Sequence, residues 1–195
     1  MDERFLKAQN IVFDIGGVLL SFCPEKVCTL LPEDIRQDVY YAIFHEECGQ
    51  SRWAQFDLGE KSNMEIASDI AAATAHPGCE KHILQMLETF PQTMSPLPLS
   101  HLIAELKAMG KRVFALTNYP EPSLTRTVER FAFFRHMDGM VVSSREKVMK
   151  PDERIYRILL DRYHLNAEDT LFIDDRLENI RAAEKLGIQG WHYIP

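Results

Sequence analysis

The stretch Ile11-Val12-Phe13-Asp14-Ile15-Gly16-Gly17 decides the fold, because a wholly apolar run ends in it on a carboxylate and two glycines. A half-exposed antiparallel strand alternates polar with apolar residues. Unbroken apolarity marks a strand covered on both faces, as in a parallel sheet. Three further runs have this character: Val113-Phe114-Ala115-Leu116, Met140-Val141-Val142 and Leu171-Phe172-Ile173, with a weaker one at Trp191-His192-Tyr193. Stretches of helical periodicity separate them. Residues 98–109 carry Leu99, Leu102, Ile103 and Leu106 and stop at Gly110; residues 152–163 carry Ile155, Ile158 and Leu159 behind Pro151. Residues 177–186 carry Ile180, Ala183 and Leu186 before Gly187. Proline suits a first helical turn and glycine the residue past a helix end. Strands alternating with helices predict a doubly wound α/β domain with a Rossmann-like parallel sheet.

Residues 21–96 break this alternation. They hold helical patterns at 34–44 and 63–74, no convincing strand, and Pro91 and Pro96 near their end. The expectation is an all-helical cap over 21–96, inserted into an α/β core built from 1–20 and 97–195.

The rest of the composition narrows the function classes. The 195 residues carry a formal net charge of −7, with acids and bases interspersed. Such a surface repels nucleic-acid backbones and anionic membranes, so neither is an expected partner. A basic pocket for a small anion is compatible with it. No run reaches the roughly 18 apolar residues of a membrane span. The charged start, Met1-Asp2-Glu3-Arg4, leaves no room for a signal peptide before the first strand. Cys23, Cys28, Cys48 and Cys79 lack C-x-x-C spacing and read as reduced thiols of a cytoplasmic protein.

In doubly wound sheets, ligands gather beyond the carboxyl ends of the strands, near the point where strand order reverses. The residues to inspect are therefore Asp14, Thr117-Asn118, Ser143-Ser144 and Asp174-Asp175. A carboxylate directly after a buried run is costly unless charge or hydrogen bonds compensate it. Gly16 and Gly17 permit positive φ and a close backbone approach to a ligand. Asp174 and Asp175 repel each other, and a divalent cation relieves that repulsion. Oxygen-only ligands suit Mg2+, although one aspartate of such a pair can equally cap the helix that follows. Thr117 and Asn118 offer donors for phosphate oxygens, or serve a turn. Lys150 precedes Pro151 at a helix start, where backbone N–H groups favour anions.

Together these segments resemble the haloacid dehalogenase-like hydrolase superfamily. The resemblance runs through Phe13-Asp14-Ile15-Gly16-Gly17-Val18-Leu19, then Leu116-Thr117-Asn118, then Lys150-Pro151, then Ile173-Asp174-Asp175 with Asn179. It spans the chain and is nearest the branch of sugar-phosphate phosphatases and the epoxide hydrolase N-terminal domain, whose small helical cap follows the first motif. It implies that Asp14 is a nucleophile forming an aspartyl-phosphate and that Thr117, Asn118 and Lys150 hold phosphoryl oxygens. It also implies a Mg2+ site made of Asp14, the Gly16 backbone carbonyl and Asp175, with Asp174 direct or through water. The expected substrate is a small phosphorylated metabolite such as a sugar phosphate; the protein is expected to be a monomer or homodimer.

At Gly16 the chain departs from the pattern. Phosphatases of the family carry a second aspartate there, which protonates the leaving alkoxide and then activates water. Loss of a positioned general acid costs roughly 10²–10⁴-fold in rate. A good leaving group, a water or a cap residue is expected to compensate, and His45, Glu46 and Glu47 are the candidates in the cap. Gly16 leaves two further readings open: a weakly active or inactive protein that binds a phosphorylated ligand or partner, and a metal-free haloacid dehalogenase. The pair Asp174-Asp175 speaks against the second. Trp53, Phe56, Asp57 and the segment 59–65 read as packing groups before a helix.

Overall fold

The computed structural model describes residues 2–45 and 51–194. Its strands are β1 (Asn10–Phe13), β2 (Arg112–Thr117), β3 (Gly139–Val142), β4 (Thr170–Asp174) and β5 (Gln189–His192). All pair in parallel, in the order β3-β2-β1-β4-β5. The chain moves outward from β1 to β3 and then returns to the other side of β1 at β4. The order therefore reverses between β1 and β4, where Phe13 pairs with Ile173.

The helices are α1 (Glu3–Lys7), α2 (Pro24–Cys28), α3 (Arg36–Phe44), α4 (Arg52–Leu58), α5 (Asn63–Ala72), α6 (Glu80–Thr89) and α7 (Ile103–Ala108). Then follow α8 (Glu121–Arg130), α9 (Ser143–Glu146), α10 (Glu153–Tyr163) and α11 (Leu177–Glu184). Period-two alternation sends Val12, Phe114, Leu116 and Phe172 to one sheet face, against Ile155 and Leu159 of α10 and Ile180 of α11. Ile11, Phe13, Val113, Leu171 and Ile173 face the other way, under Phe5 of α1 and Ile103 and Leu106 of α7. Both faces are dry, which is why these strands show no polar alternation.

Two expected helices begin as tighter turns. The stretch 98–109 opens with a 3-10 segment, Pro98–Leu102, and 34–44 follows a 3-10 segment, Glu33–Ile35. Tightened first turns are a common way to start a helix. In the first of them the Ser100 amide and hydroxyl both donate to the Leu97 carbonyl.

Among the described residues, Pro24 to Thr93 contains helices and no strand. Helices α2 to α6 share one apolar cluster, which also takes in Ala115, Val142 and Leu124 on the sheet side. The entry and exit connections run side by side: the Ser21 amide donates to Ser95 O at 2.8 Å and the Leu97 amide to Leu19 O at 2.9 Å. Cys23, Cys28 and Cys79 are free thiols, and Cys48 lies outside the described residues. No helix among the described residues is long and apolar enough to cross a membrane.

Candidate active site

Asp14 follows the last residue of β1, and its amide extends the ladder by donating to Ile173 O at 2.9 Å. Its Oδ1 accepts the Ile15 amide at 2.7 Å, which fixes the carboxylate. Its Oδ2 lies 3.0 Å from Lys150 Nζ. Asp174, the last residue of β4, approaches the same ammonium more closely, at 2.6 Å. Lys150 is buried, so this ion triad sits out of solvent.

Asp174 is saturated. Its Oδ1 accepts the Arg176 amide at 2.8 Å and Asn179 Nδ2 at 3.0 Å; its Oδ2 accepts Lys150 and again Asn179 Nδ2 at 3.1 Å. A carboxylate offers about four lone-pair sites, and here three donor groups make four contacts to them. Asn179 is held in turn by Tyr156, whose buried hydroxyl donates to its carbonyl at 2.9 Å. Asp175 points elsewhere, toward Gly17. Gly17 has φ +73°, and a Cβ there would stand 2.2 Å from Asp175 Oδ2. Glycine thus supplies both the left-handed turn and the space for the carboxylate. Gly16 shows neither constraint: an added Cβ would meet only Phe22 Cβ, at 3.7 Å.

Each of Asp14, Asp174 and Asp175 presents an oxygen within 4.8 Å of the others. Two of these carboxylates, Asp14 and Asp174, share one buried ammonium while Asp175 stands beside them without one, and the excess negative charge registers on Asp14. Burial first, and then the charges of Asp174 and Asp175, push its carboxyl up to about 7 against the pull of Lys150. Asp175 is raised for the same two reasons, burial and Asp174. Burial opposes the charge on Lys150, but Asp14 and Asp174 together hold it above the usual lysine range. The shorter contact commits Lys150 mainly to Asp174, so Asp14 stays incompletely neutralised.

The remaining expected residues sit differently from one another. Thr117 ends β2 with its hydroxyl buried and without a partner, one residue short of the cavity lining. Asn118 lines the cavity, but its amide is engaged: Oδ1 accepts the Lys150 amide at 2.9 Å, and Nδ2 donates to Lys150 O at 3.0 Å. It clamps the backbone that carries the ammonium. The expectation that Lys150 sits at a helix N-terminus is corrected. Helix α10 begins at Glu153, is capped by Asp152, and the ammonium faces carboxylates instead. Ser143 begins α9, where its hydroxyl accepts the Tyr119 amide at 2.9 Å and donates to Asp57 O at 2.5 Å.

A cavity of about 220 Å3 opens over these groups, lined by Asp14, Gly16, Lys150 and Asp175 below. Phe22, Trp53, Phe90 and Met94 form apolar walls. Trp53 lies 5.2 Å from both Phe22 and Phe90, ring centre to ring centre. Among the described residues, one charged group from the inserted helices enters it, Asp57 in the last turn of α4. Asp57 is buried, its Oδ1 has no partner, and burial followed by the charge of Asp14 raises its carboxyl well above the usual range. Sequence periodicity gave Asp57 only a packing role, and nothing local distinguishes it from a solvated helix aspartate. His45 is exposed beside Tyr41, at 4.7 Å between rings, and does not line the cavity. Glu46 and Glu47 lie outside the described residues.

A family model for haloacid dehalogenase-like hydrolases matches residues 8–187 of this chain. The sesquiterpene phosphatase astK of Aspergillus oryzae is 30% identical over 185 residues, covering 93% of this chain and 87% of its own length. The GMP/IMP nucleotidase YrfG of Escherichia coli is 33% identical over 84 residues, 43% of this chain and 38% of its own length. Among solved structures, the enzyme bt-2542 of Bacteroides thetaiotaomicron, in complex with magnesium and inorganic phosphate, superposes with a TM-score of 0.73. It is 19% identical and is covered over 93% of its length by 94% of this chain, a likeness of fold.

Proposed function

Because the chain belongs to the haloacid dehalogenase-like hydrolase family, we propose that it is a Mg2+-dependent phosphomonoesterase working through an aspartyl-phosphate on Asp14. One observation carries this reading: an incompletely neutralised carboxylate, fixed at the switch point of the sheet, faces a cavity beside a buried ammonium. Asp14 Oδ2 attacks phosphorus, the ester oxygen departs, and water later cleaves the acyl phosphate. Thr117 and Lys150 stabilise equatorial phosphoryl oxygens, the charge that matters most in phosphoryl transfer. Asn118 acts through Lys150, by fixing its backbone.

The donor set fits Mg2+. It is all oxygen, it carries surplus negative charge, and the Asp175 carboxylate is reserved space by Gly17. Asp14, Asp175 and the Gly16 carbonyl would hold the ion, and saturated Asp174 would act through its charge or through water. Bound there, the cation would neutralise charge building on the phosphoryl oxygens. This surplus also favours phosphatase over metal-free dehalogenase, which would have no use for Asp175.

Residues 1–20 and 97–195 serve as the core and 21–96 as the cap that selects the organic part of a small phosphorylated substrate. The walls formed by Phe22, Trp53, Phe90 and Met94 suit a ring or apolar face. Similarity to a sesquiterpene phosphatase supports that preference, while sugar phosphates remain the second class to test. The experiment is a phosphatase screen with and without Mg2+, using terpenoid, nucleoside and sugar phosphates. Asp14→Asn abolishes turnover while the thermal unfolding transition is kept; full activity in that variant would refute the assignment.

A further inference from the structure

Departure of an alkoxide from phosphorus needs a proton, and the residue two positions beyond Asp14, Gly16, has no side chain to supply one. The cavity must provide it elsewhere. Its polar lining leaves few choices among the described residues. Lys150 is committed to Asp14 and Asp174, Asn179 to Asp174, and Asn118 to the Lys150 backbone. The Tyr119 hydroxyl is engaged by Thr127 Oγ1 at 2.8 Å and Met94 Sδ at 3.4 Å, and Ser51 Oγ caps α4 by accepting the Ala54 amide at 3.1 Å. Arg176 is exposed and paired with Glu178. Asp175 stands in the carboxylate cluster with Asp14 and Asp174. Asp57 is different: it comes from the inserted helices, is buried, and is the one carboxyl among the described lining residues outside the Asp14-Asp174-Asp175 cluster, with an Oδ1 that, like Asn179 Oδ1, has no hydrogen-bond partner.

Its backbone is held as a catalytic group's must be. Ser143 Oγ donates to the Asp57 carbonyl, Lys147 Nζ donates to the Gly59 carbonyl, and Gly59 ends α4 in the left-handed conformation at φ +65°. A Cβ at Gly59 would stand 2.8 Å from Ser144 Cβ, so this turn of α4 is seated directly on α9. The neighbouring Phe56 is buried in the helical cluster. A buried polar atom left unsatisfied costs about 1–3 kcal/mol, a cost that a substrate oxygen accepting the Asp57 proton would relieve.

From this placement we infer that Asp57 is the acid and base of the reaction, supplied by the inserted helices in place of a side chain at position 16. The inference rests on the phosphatase reading given above. In the first half-reaction the Asp14 Oδ–P bond forms and the P–O ester bond breaks, while the Asp57 proton passes to the departing oxygen. In the second, the Asp57 carboxylate takes a proton from the attacking water, a P–O bond forms and the Asp14 Oδ–P bond breaks. Asp57 ends protonated, Asp14 ends free, and one water has been consumed.

The test uses two esters in Mg2+ buffer, p-nitrophenyl phosphate, whose leaving group needs no proton, and n-butyl phosphate, whose leaving group does. Because kcat/KM covers steps only through the first irreversible one, it reads leaving-group departure. Asp57→Asn is expected to lower kcat/KM for the butyl ester by about 10²–10³-fold and for the nitrophenyl ester by less than about 10-fold. Denatured variant should carry a phosphoryl group on Asp14, trapped because the second half-reaction has lost its base. Gly16→Asp in the Asp57→Asn background restores butyl ester turnover, since position 16 has normal φ and room for a Cβ. Asp57→Ala supplies the same comparison if Asn disturbs α4. Equal losses on both esters, or no loss on either, overturn the role of Asp57. Wild-type protein inert toward both esters would instead overturn the phosphatase reading itself.

Discussion

Lys150→Met removes the ammonium at the centre of the site and leaves a side chain of similar reach. The ammonium lies 2.6 Å from Asp174 and 3.0 Å from Asp14, with all three groups buried. At an effective dielectric near 20, each contact represents roughly 5–6 kcal/mol of gross attraction. Desolvation of the three charges offsets much of that, so the useful figure is the measured cost of orphaning a buried charge, about 3–5 kcal/mol. Domains of this size are typically stable by about 5–15 kcal/mol, so the variant folds but is markedly weakened. The assay is urea unfolding in EDTA at pH 8 and at pH 5. Without the ammonium, which pulls it down, the folded-state pKa of Asp14, already raised by burial, rises further above its unfolded value. A carboxyl raised in the folded state contributes stability at low pH that is lost as pH rises through its folded pKa. The deficit relative to wild type is therefore full at pH 8 and narrows at pH 5, where the orphaned Asp14 carboxyl takes up a proton. A deficit below about 1 kcal/mol at pH 8, the size of an exposed ion pair, would refute the buried-triad account. So would a deficit identical at the two pH values.

Asn118→Ala deletes both hydrogen bonds to the Lys150 backbone. It should cost about 1–3 kcal/mol in urea unfolding and also lower kcat, although the amide is spent on protein backbone. Gly17→Ala places a methyl group on the Asp175 carboxylate at a positive-φ residue. Calorimetric titration should find Mg2+ binding weakened at least about tenfold, since the carboxylate must move and a left-handed alanine is itself strained by about 1–2 kcal/mol. For metal-free protein, Asp14 sits near 7 when folded against an ordinary 3.8. Stability in EDTA should therefore fall as pH rises from about 4 to about 7, and excess Mg2+, which binds the ionised form, should reverse the trend above pH 7.

The strands were legible because a parallel sheet dry on both faces writes itself as apolar runs, and β1 to β4 contain the runs read from the sequence. The weakest run, Trp191-His192-Tyr193, marks edge strand β5, which has one strand neighbour and is only partly buried. The convergence of Asp14, Lys150, Asp174 and Asp175 also followed from strand ends, despite separations of up to 161 positions. Partnership within that cluster did not. The sequence treats Asp174-Asp175 as a unit, whereas Asp174 is filled by donors from Lys150, Arg176 and Asn179 and only Asp175 faces Gly17. Asn118 and Lys150 lie 32 positions apart, and no periodicity links an amide to a backbone at that range. Asp57 was hidden for a different reason. Its signal is burial without a partner, a property of packing between α4 and α9 that a linear pattern does not encode.

The site is best understood as a division of one charge problem among four carboxylates. Asp174 takes the larger share of the only buried lysine in the cavity and two side-chain contacts from Asn179, which makes it a fixed counter-charge. Asp14 receives the remainder, the longer Lys150 contact to Oδ2 and the Ile15 amide to Oδ1, which holds its position. Asp175 receives no lysine and stands beside a glycine, which suits it to a cation from solution. Asp57, buried on the helical side with an oxygen that has no hydrogen-bond partner, is pushed well above the usual carboxylate range by burial and by the charge of Asp14. In the proposed mechanism, chemically identical side chains take the separate duties of anchor, nucleophile, metal ligand and acid. What separates them is how much positive charge each is allowed to reach, and Lys150 sets that allocation.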